Sequence, residues 1–212
     1  MIKVFLILLF TLYISNGVCG VSVVGTRFLI DADKSYLNIK IMNDNESDYL
    51  IKSVVDDNDF IVSPPLFLLP KDTSNTITII LKEKKTYNKD KLFNLTVTAI
   101  PKSTLNTELS NVSLAIRSHF KVIVRHAELK SHDFSNIAIT IENKRCVLYN
   151  NSNFVFTLSL TKSETDRNKK LINLSPSEKI VLENSSITSS CETWVNFHDG
   201  YNDIIKIIKL TT

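Results

Sequence analysis

Apolar residues recur at every second position along much of this chain. After Leu37 the segment Tyr36-Leu37-Asn38-Ile39-Lys40-Ile41 alternates in this way, and so do Thr76 to Leu81 and Leu92 to Ile100. Val112 to Val124 is the longest such run. A period of two puts one face of a segment on a core and the other in solvent, so each predicts a half-buried β-strand. Ile137 to Ile141, Phe154 to Leu160, Lys179 to Leu182, Thr193 to Phe197 and Ile204 to Leu210 are the strand candidates of the second half. Turn signals separate them: Asn43-Asp44-Asn45, Asp56-Asp57-Asn58-Asp59, Ser63-Pro64-Pro65 and Pro70-Lys71-Asp72. Lys162 to Lys170 reads as a solvated polar loop, and no window carries a long stripe at helical spacing. Short strands at intervals of roughly ten residues predict β-sandwiches, here two of about 100 residues each. The boundary is expected at His126 to Ser131, giving units 20–126 and 131–212 with 127–130 as linker.

The first residues stand apart. Lys3 precedes an apolar run from Val4 to Ile14, and Ser15-Asn16-Gly17-Val18-Cys19-Gly20 then supplies small residues. This predicts a secretory signal over 1–19, cut after Cys19 or Gly20 and too short for a stop-transfer helix. No later segment approaches eighteen apolar residues, so no membrane insertion is expected. With hydrophobic residues at 43% the chain can build a core, which argues against disorder. A net charge of +3, spread along the sequence, gives no argument for nucleic acid. Beyond the signal two cysteines remain, Cys146 and Cys191. In an oxidising compartment such a pair is expected to bridge, the alternative being two buried free thiols.

Candidate chemistry is sparse. His119, His126, His132 and His198 are scattered, none at metal-ligand spacing from a cysteine or another histidine. There is no glycine-rich phosphate loop and no nucleophile elbow. Asp56-Asp57-Asn58-Asp59 lacks the glycine and closing glutamate of a calcium loop and reads as a solvated turn. No metal, no cofactor and no enzymatic activity are expected.

Three features exceed the general β pattern. Val112, Leu114 and Ile116 alternate with Ser113, Ala115 and Arg117 after the polar stretch Lys102 to Asn111. The same run continues through Phe120-Lys121-Val122-Ile123-Val124-Arg125, whose two cations call for anionic partners if buried. Arg27 closes Val21-Ser22-Val23-Val24-Gly25-Thr26-Arg27, a third cation in an otherwise apolar or small-residue strand.

With these residues in place the chain resembles the periplasmic pilus (fimbrial) chaperones of the PapD-like family. Besides the first strand and the Phe120-to-Arg125 run, the matching pieces are Asn43-Asp44-Asn45, Ser63-Pro64-Pro65-Leu66-Phe67 with Leu69-Pro70, and Ile100-Pro101. Asn150 to Leu158 and Asn196-Phe197-His198-Asp199-Gly200-Tyr201 match more loosely in the second half. The resemblance implies two immunoglobulin-like domains set at an angle with a cleft between them. It implies that Arg27 and Lys121 bind the C-terminal carboxylate of a pilus subunit. Val112, Leu114 and Ile116 would be the apolar row of a strand lent to that subunit by β-augmentation. Asp90, Arg125 and Asp199 would bridge the domains. An outer-membrane usher is the implied second partner, and the uncovered apolar edge leaves self-association of free chaperone open as a further option.

Departures from the family pattern qualify this. His126 stands where many members carry proline, which predicts a less stiff linker. Lys102 to Asn111 is short, as in the short-loop subclass. The family motif does not foresee Cys146 and Cys191, which are expected to staple the second domain. A rival reading is a secreted receptor-like glycoprotein with two immunoglobulin-type domains. Sequons at Asn45, Asn94, Asn111, Asn150, Asn173 and Asn184 favour it, but Asn94 and Asn111 fall on or beside expected strands, a poor place for sugars. For a secreted β-rich hydrolase no constellation speaks.

Overall fold

The computed structural model describes residues 20–83, 85–102, 113–166, 170–182 and 190–212. The expected signal segment, Val112, most of the Lys102-to-Asn111 connection and the sequons at Asn111 and Asn184 therefore lie outside the described residues.

The described residues form sixteen strands in two sandwiches. In the first, β1 (Val21–Val23), β3 (Tyr36–Asn43), β7 (Thr73–Leu81) and β5 (Phe60–Ser63) make a four-stranded sheet in the order β1-β3-β7-β5. Facing it, β2 (Arg27–Ile30), β9 (Ile116–Val124), β8 (Lys91–Pro101), β4 (Tyr49–Val55) and β6 (Leu66–Leu69) make a five-stranded sheet in the order β2-β9-β8-β4-β6. The alternation read from the sequence does its work here. Ile39 and Ile41 of β3, Ile77 and Ile79 of β7, and Leu95 and Val97 of β8 all point into one core.

The first strand changes sheets. β1 pairs antiparallel with β3, whereas β2 pairs parallel with β9. Gly25 sits at this switch with φ +121°, and a Cβ there would lie 2.7 Å from the Phe28 ring. Only glycine fits, because both the backbone and the space exclude a side chain.

In the second sandwich β10 (Ile137–Glu142), β11 (Arg145–Asn150) and β14 (Lys179–Val181) face β13 (Leu171–Leu174), β12 (Phe156–Thr161), β15 (Glu192–His198) and β16 (Ile204–Thr211). Phe156, Leu158, Leu174, Val195 and Phe197 form its core, and a disulfide joins Cys146 to Cys191 with Cα atoms 5.8 Å apart. The expected linker 127–130 falls between β9 and a short 3₁₀ turn, Ser131–Asn136.

Two expectations change. The run Val112 to Val124 is not one continuous strand, since 113–115 has no strand partner and β9 starts at Ile116. The Asp56-to-Asp59 turn is not simply solvated. Lys91 Nζ lies 2.8 Å from Asp57 and 2.6 Å from Asp59, and Lys85 lies 2.8 Å from Asp59. Hydrogen bonds from Lys85 and Lys91, joined by one from Tyr87, hold the Asp59 carboxyl well below its usual range. Burial and that same bond to Asp59 push the Tyr87 phenol up to about 12.

Candidate functional site

β2 and β9 alternate in register, and this sorts their side chains. Phe28 and Ile30 pair with Val122 and Val124 and enter the core. Arg27 pairs with Lys121 and Leu29 with Ile123, so these four share the opposite face. Adjacent strands are about 4.8 Å apart, which sets the two cations side by side.

At Arg27, Leu29 and Ile123 that face looks onto a cavity of about 590 Å³ between the sandwiches, whose lining does not include Lys121. Arg27, Leu29, Ile123 and Arg125 line it from the first sandwich, and Val155, Phe156, Phe197 and Asp199 line it from the second. The walls are largely apolar; Arg27 and Arg125 bring positive charge to them, Arg125 already paired with Asp90, while Asp31, Asp33, Glu128 and Asp199 bring carboxylates. Burial lowers the Arg27 guanidinium below its ordinary value, as expected for a charge partly withdrawn from water. Arg27 donates to Asn202 Oδ1 at 2.6 Å, and Lys121 donates to Asn94 Oδ1 at 2.8 Å. Asn94 in turn donates its backbone N–H and its side-chain amide to Asp56. Burial pushes the Asp56 carboxyl up, but these bonds and the Lys121 charge together hold it below the usual range. Among the described residues no carboxylate lies within ion-pair distance of Arg27 or Lys121. Such a site can accept an anion.

Next to it, β9 is only half covered. β2 pairs with Lys121 to Val124, so among the described residues Ile116 to Phe120 present a free hydrogen-bonding edge on that side. Ile116 stands opposite Ala99 in the core-facing row, yet it is 56% exposed, and Leu114 just before the strand is 72% exposed. One row of side chains is therefore core at Val122 and Val124 and uncovered at Ile116.

The sandwiches are joined at the far end of β9. The fully buried Asp90 carboxylate receives Arg125 Nη1, the His126 backbone N–H at 2.9 Å, His126 Nδ1 at 2.8 Å and the Val155 N–H at 2.9 Å. Arg125 also donates to the Val155 carbonyl at 3.0 Å, and Asp90 N–H to the Asn153 carbonyl at 2.8 Å. Asp90 and Arg125 thus meet at the junction, but Asp199 does not join them. Its carboxylate accepts the N–H groups of Tyr201 and Asp203, because the β15–β16 turn folds back onto it. At the position whose departure from proline predicted a less stiff linker, the His126 ring lies 4.6 Å from the Phe154 ring and bonds Asp90.

Sequence reasoning missed Asn202 and the 153–155 segment. Both act through contacts between residues far apart in the chain, which no local pattern announces.

The profile of the family described as "Pili and flagellar-assembly chaperone, PapD N-terminal domain" matches residues 20–130. The probable fimbrial chaperone LpfB of Escherichia coli O157:H7 is 30% identical over 137 residues, covering 59% of this chain and 59% of that protein. The chaperone protein FimC of Escherichia coli O6:H1 is 32% identical over 120 residues, 52% of this chain and 50% of its own length. The chain thus spans only about half to three fifths of these relatives. The fold is similar to the Salmonella enterica SafB chaperone solved in complex with the SafA pilin, with TM-score 0.72, 16% identity and coverage of 93% and 99% of the two chains. It is similar also to the Escherichia coli chaperone DraB, with TM-score 0.68, 21% identity and coverage of 90% and 97%. With more than half of its length matched by the family profile, the chain belongs to the pili and flagellar-assembly chaperone family.

Proposed function

We propose that this protein is a periplasmic, non-catalytic chaperone that captures pilus subunits, completes their fold with its own strand and hands them to an outer-membrane usher. The observation that carries this reading is the pair Arg27 and Lys121, in register and without a carboxylate partner among the described residues, at the end of an apolar edge. A guest with an incomplete sandwich would add a strand at Ile116 to Phe120, and its C-terminal carboxylate would close the ion pair. The names of the relatives, fimbrial chaperones, and the SafB complex with a pilin support the same role. On this reading 20–126 and 131–212 are the working units and 127–130 the segment between them. Leu114 and Ile116 are donor residues, and Val112 would extend their row. The uncovered edge supports a second use in the free protein, pairing with another copy of the chain.

The test is co-purification from periplasm with candidate subunits. Arg27→Ala or Lys121→Ala should abolish capture while leaving a folded chaperone, because losing one partner of a shielded charge pair costs about 2–5 kcal/mol. Wild-type yields from either variant would defeat the carboxylate-anchor assignment.

A further inference from the structure

The β15–β16 turn reaches across the cleft. Asn202 stands at its tip with φ +70°, a left-handed conformation that asparagine tolerates well. Its Oδ1 accepts from Arg27 Nη1 at 2.6 Å, and its Nδ2 donates to Thr26 Oγ1 at 3.4 Å. The stem behind it is fastened. Its carbonyl meets His198 Nδ1 at 3.0 Å, and His198 Nε2 meets Ser159 Oγ at 2.9 Å, both side chains being buried in the second sandwich. The Asp199 carboxylate ties the rest of the turn through Tyr201 and Asp203. A fixed amide of one sandwich therefore grips a guanidinium of the other.

We propose that Asn202 is a positioning residue for the anion anchor, so that the second sandwich sets the orientation in which Arg27 meets a guest carboxylate. The inference rests on the reading of Arg27 as that anchor. An arginine carries five N–H donors, and a carboxylate engages two of them side by side. Asn202 uses one and leaves the rest in a restrained orientation. Its oxygen is neutral, so the positive charge stays uncompensated until a guest arrives. An aspartate would suit the same backbone equally well but would cancel that charge.

The probes are a synthetic peptide of alternating apolar residues ending in a free carboxylate, and the same peptide ending in an amide. Each is titrated into the full-length chain, and the ratio of affinities reads the anchor. Wild type should prefer the carboxylate about tenfold or more, and Arg27→Ala should lose that preference. Asn202→Gly, which keeps the left-handed backbone, should cut the preference about three- to tenfold while binding the amidated peptide as wild type does. Asn202→Asp should remove the preference by neutralising Arg27 from within. Rotation of the Arg27 guanidinium, followed by nitrogen NMR of the free protein, should be faster in Asn202→Gly than in wild type. Wild-type preference in both Asn202 variants, with Arg27→Ala deficient, overturns the role of Asn202 and leaves the anchor standing. Equal loss toward both peptides in Asn202→Gly marks a merely structural turn and overturns it too. So does equal guanidinium rotation in wild type and Asn202→Gly, whatever the peptides do. If wild type shows no carboxylate preference, or Arg27→Ala retains it, the anchor falls and this inference with it.

Discussion

Asp90→Ala should loosen the junction between the sandwiches more than any other single truncation of a charged side chain. Its fully buried carboxylate gathers four N–H groups: Arg125 Nη1, the His126 backbone, His126 Nδ1 and the Val155 backbone. Removing one partner of a buried ion pair costs about 3–5 kcal/mol, because the other charge is left without compensation. Each backbone N–H that loses its acceptor in a dry site adds about 1–3 kcal/mol, but Val155 and Arg125 share one oxygen, so these costs overlap. A total near 4 kcal/mol is a fair expectation. For a chain of this size that corresponds to a fall in melting temperature of roughly 8–16 °C, at about 2–4 °C per kcal/mol. The loss should not be uniform. Val155 belongs to the second sandwich and Asp90 to the first, so scanning calorimetry should show one transition resolving into two. Lys34→Ala, which breaks an exposed pair with Asp31, should melt as wild type does. A single transition for Asp90→Ala within about 1 kcal/mol of wild type would refute the idea that this carboxylate holds the junction.

Three other outcomes follow from the same geometry. Replacing Leu114 and Ile116 together by serine should change stability by no more than about 0.5 kcal/mol, since both are exposed, yet weaken subunit binding by roughly 1.5–3 kcal/mol per side chain; calorimetric titration against a purified subunit checks both. The bridge between Cys146 and Cys191 should leave no thiol for alkylation in native protein, and opening its 45-residue loop with reductant should lower the urea midpoint by an amount equivalent to about 3–4 kcal/mol. The Asp59 carboxyl is depressed in the folded state, so its stabilising contribution is full above the unfolded carboxylate range near pH 4 and is lost as pH falls toward its lower folded value. Urea midpoints measured across that window should drop, and the drop should shrink in Lys91→Ala, where one of the bonds that depress Asp59 is already gone.

How much was legible in the sequence depended on whether a strand is buried on one face. Ile39 and Ile41, or Leu95 and Val97, alternate against polar neighbours because the outer face meets water, and their strands could be read directly. β4 escaped notice because Ser53 takes an inward position while Leu50 and Val54 stay exposed, which inverts the pattern. β5 and β6 are only four residues each, joined through Pro64 and Pro65, and their shortness hid them among turn signals. At the site, Arg27 and Lys121 could be singled out as cations in apolar runs. Their pairing is a matter of β2 running parallel to β9, a long-range choice that no local spacing encodes. Asp199 came in through the resemblance alone. The Gly200-Tyr201-Asn202-Asp203 turn that claims its oxygens is a property of this chain's own loop.

The parallel pairing of β2 with β9 also fixes a polarity. β9 has nine residues and β2 takes the last four, so among the described residues five rungs, Ile116 to Phe120, remain vacant, a length of roughly 16 Å at 3.3 Å per residue. The vacancy ends where Arg27 begins. A strand docking there lies in line with β2, on the same track, and β2 stops it from sliding further toward the cleft. Such a strand can bring its final carboxylate to Arg27 only if it travels in the direction of β9 itself. One docked the opposite way would present its amino end to Arg27 and Lys121 and meet like charge. If the proposed capture holds, the sheet switch at Gly25 would act as a directional gauge, admitting one orientation of guest strand and limiting how much of it can be paired.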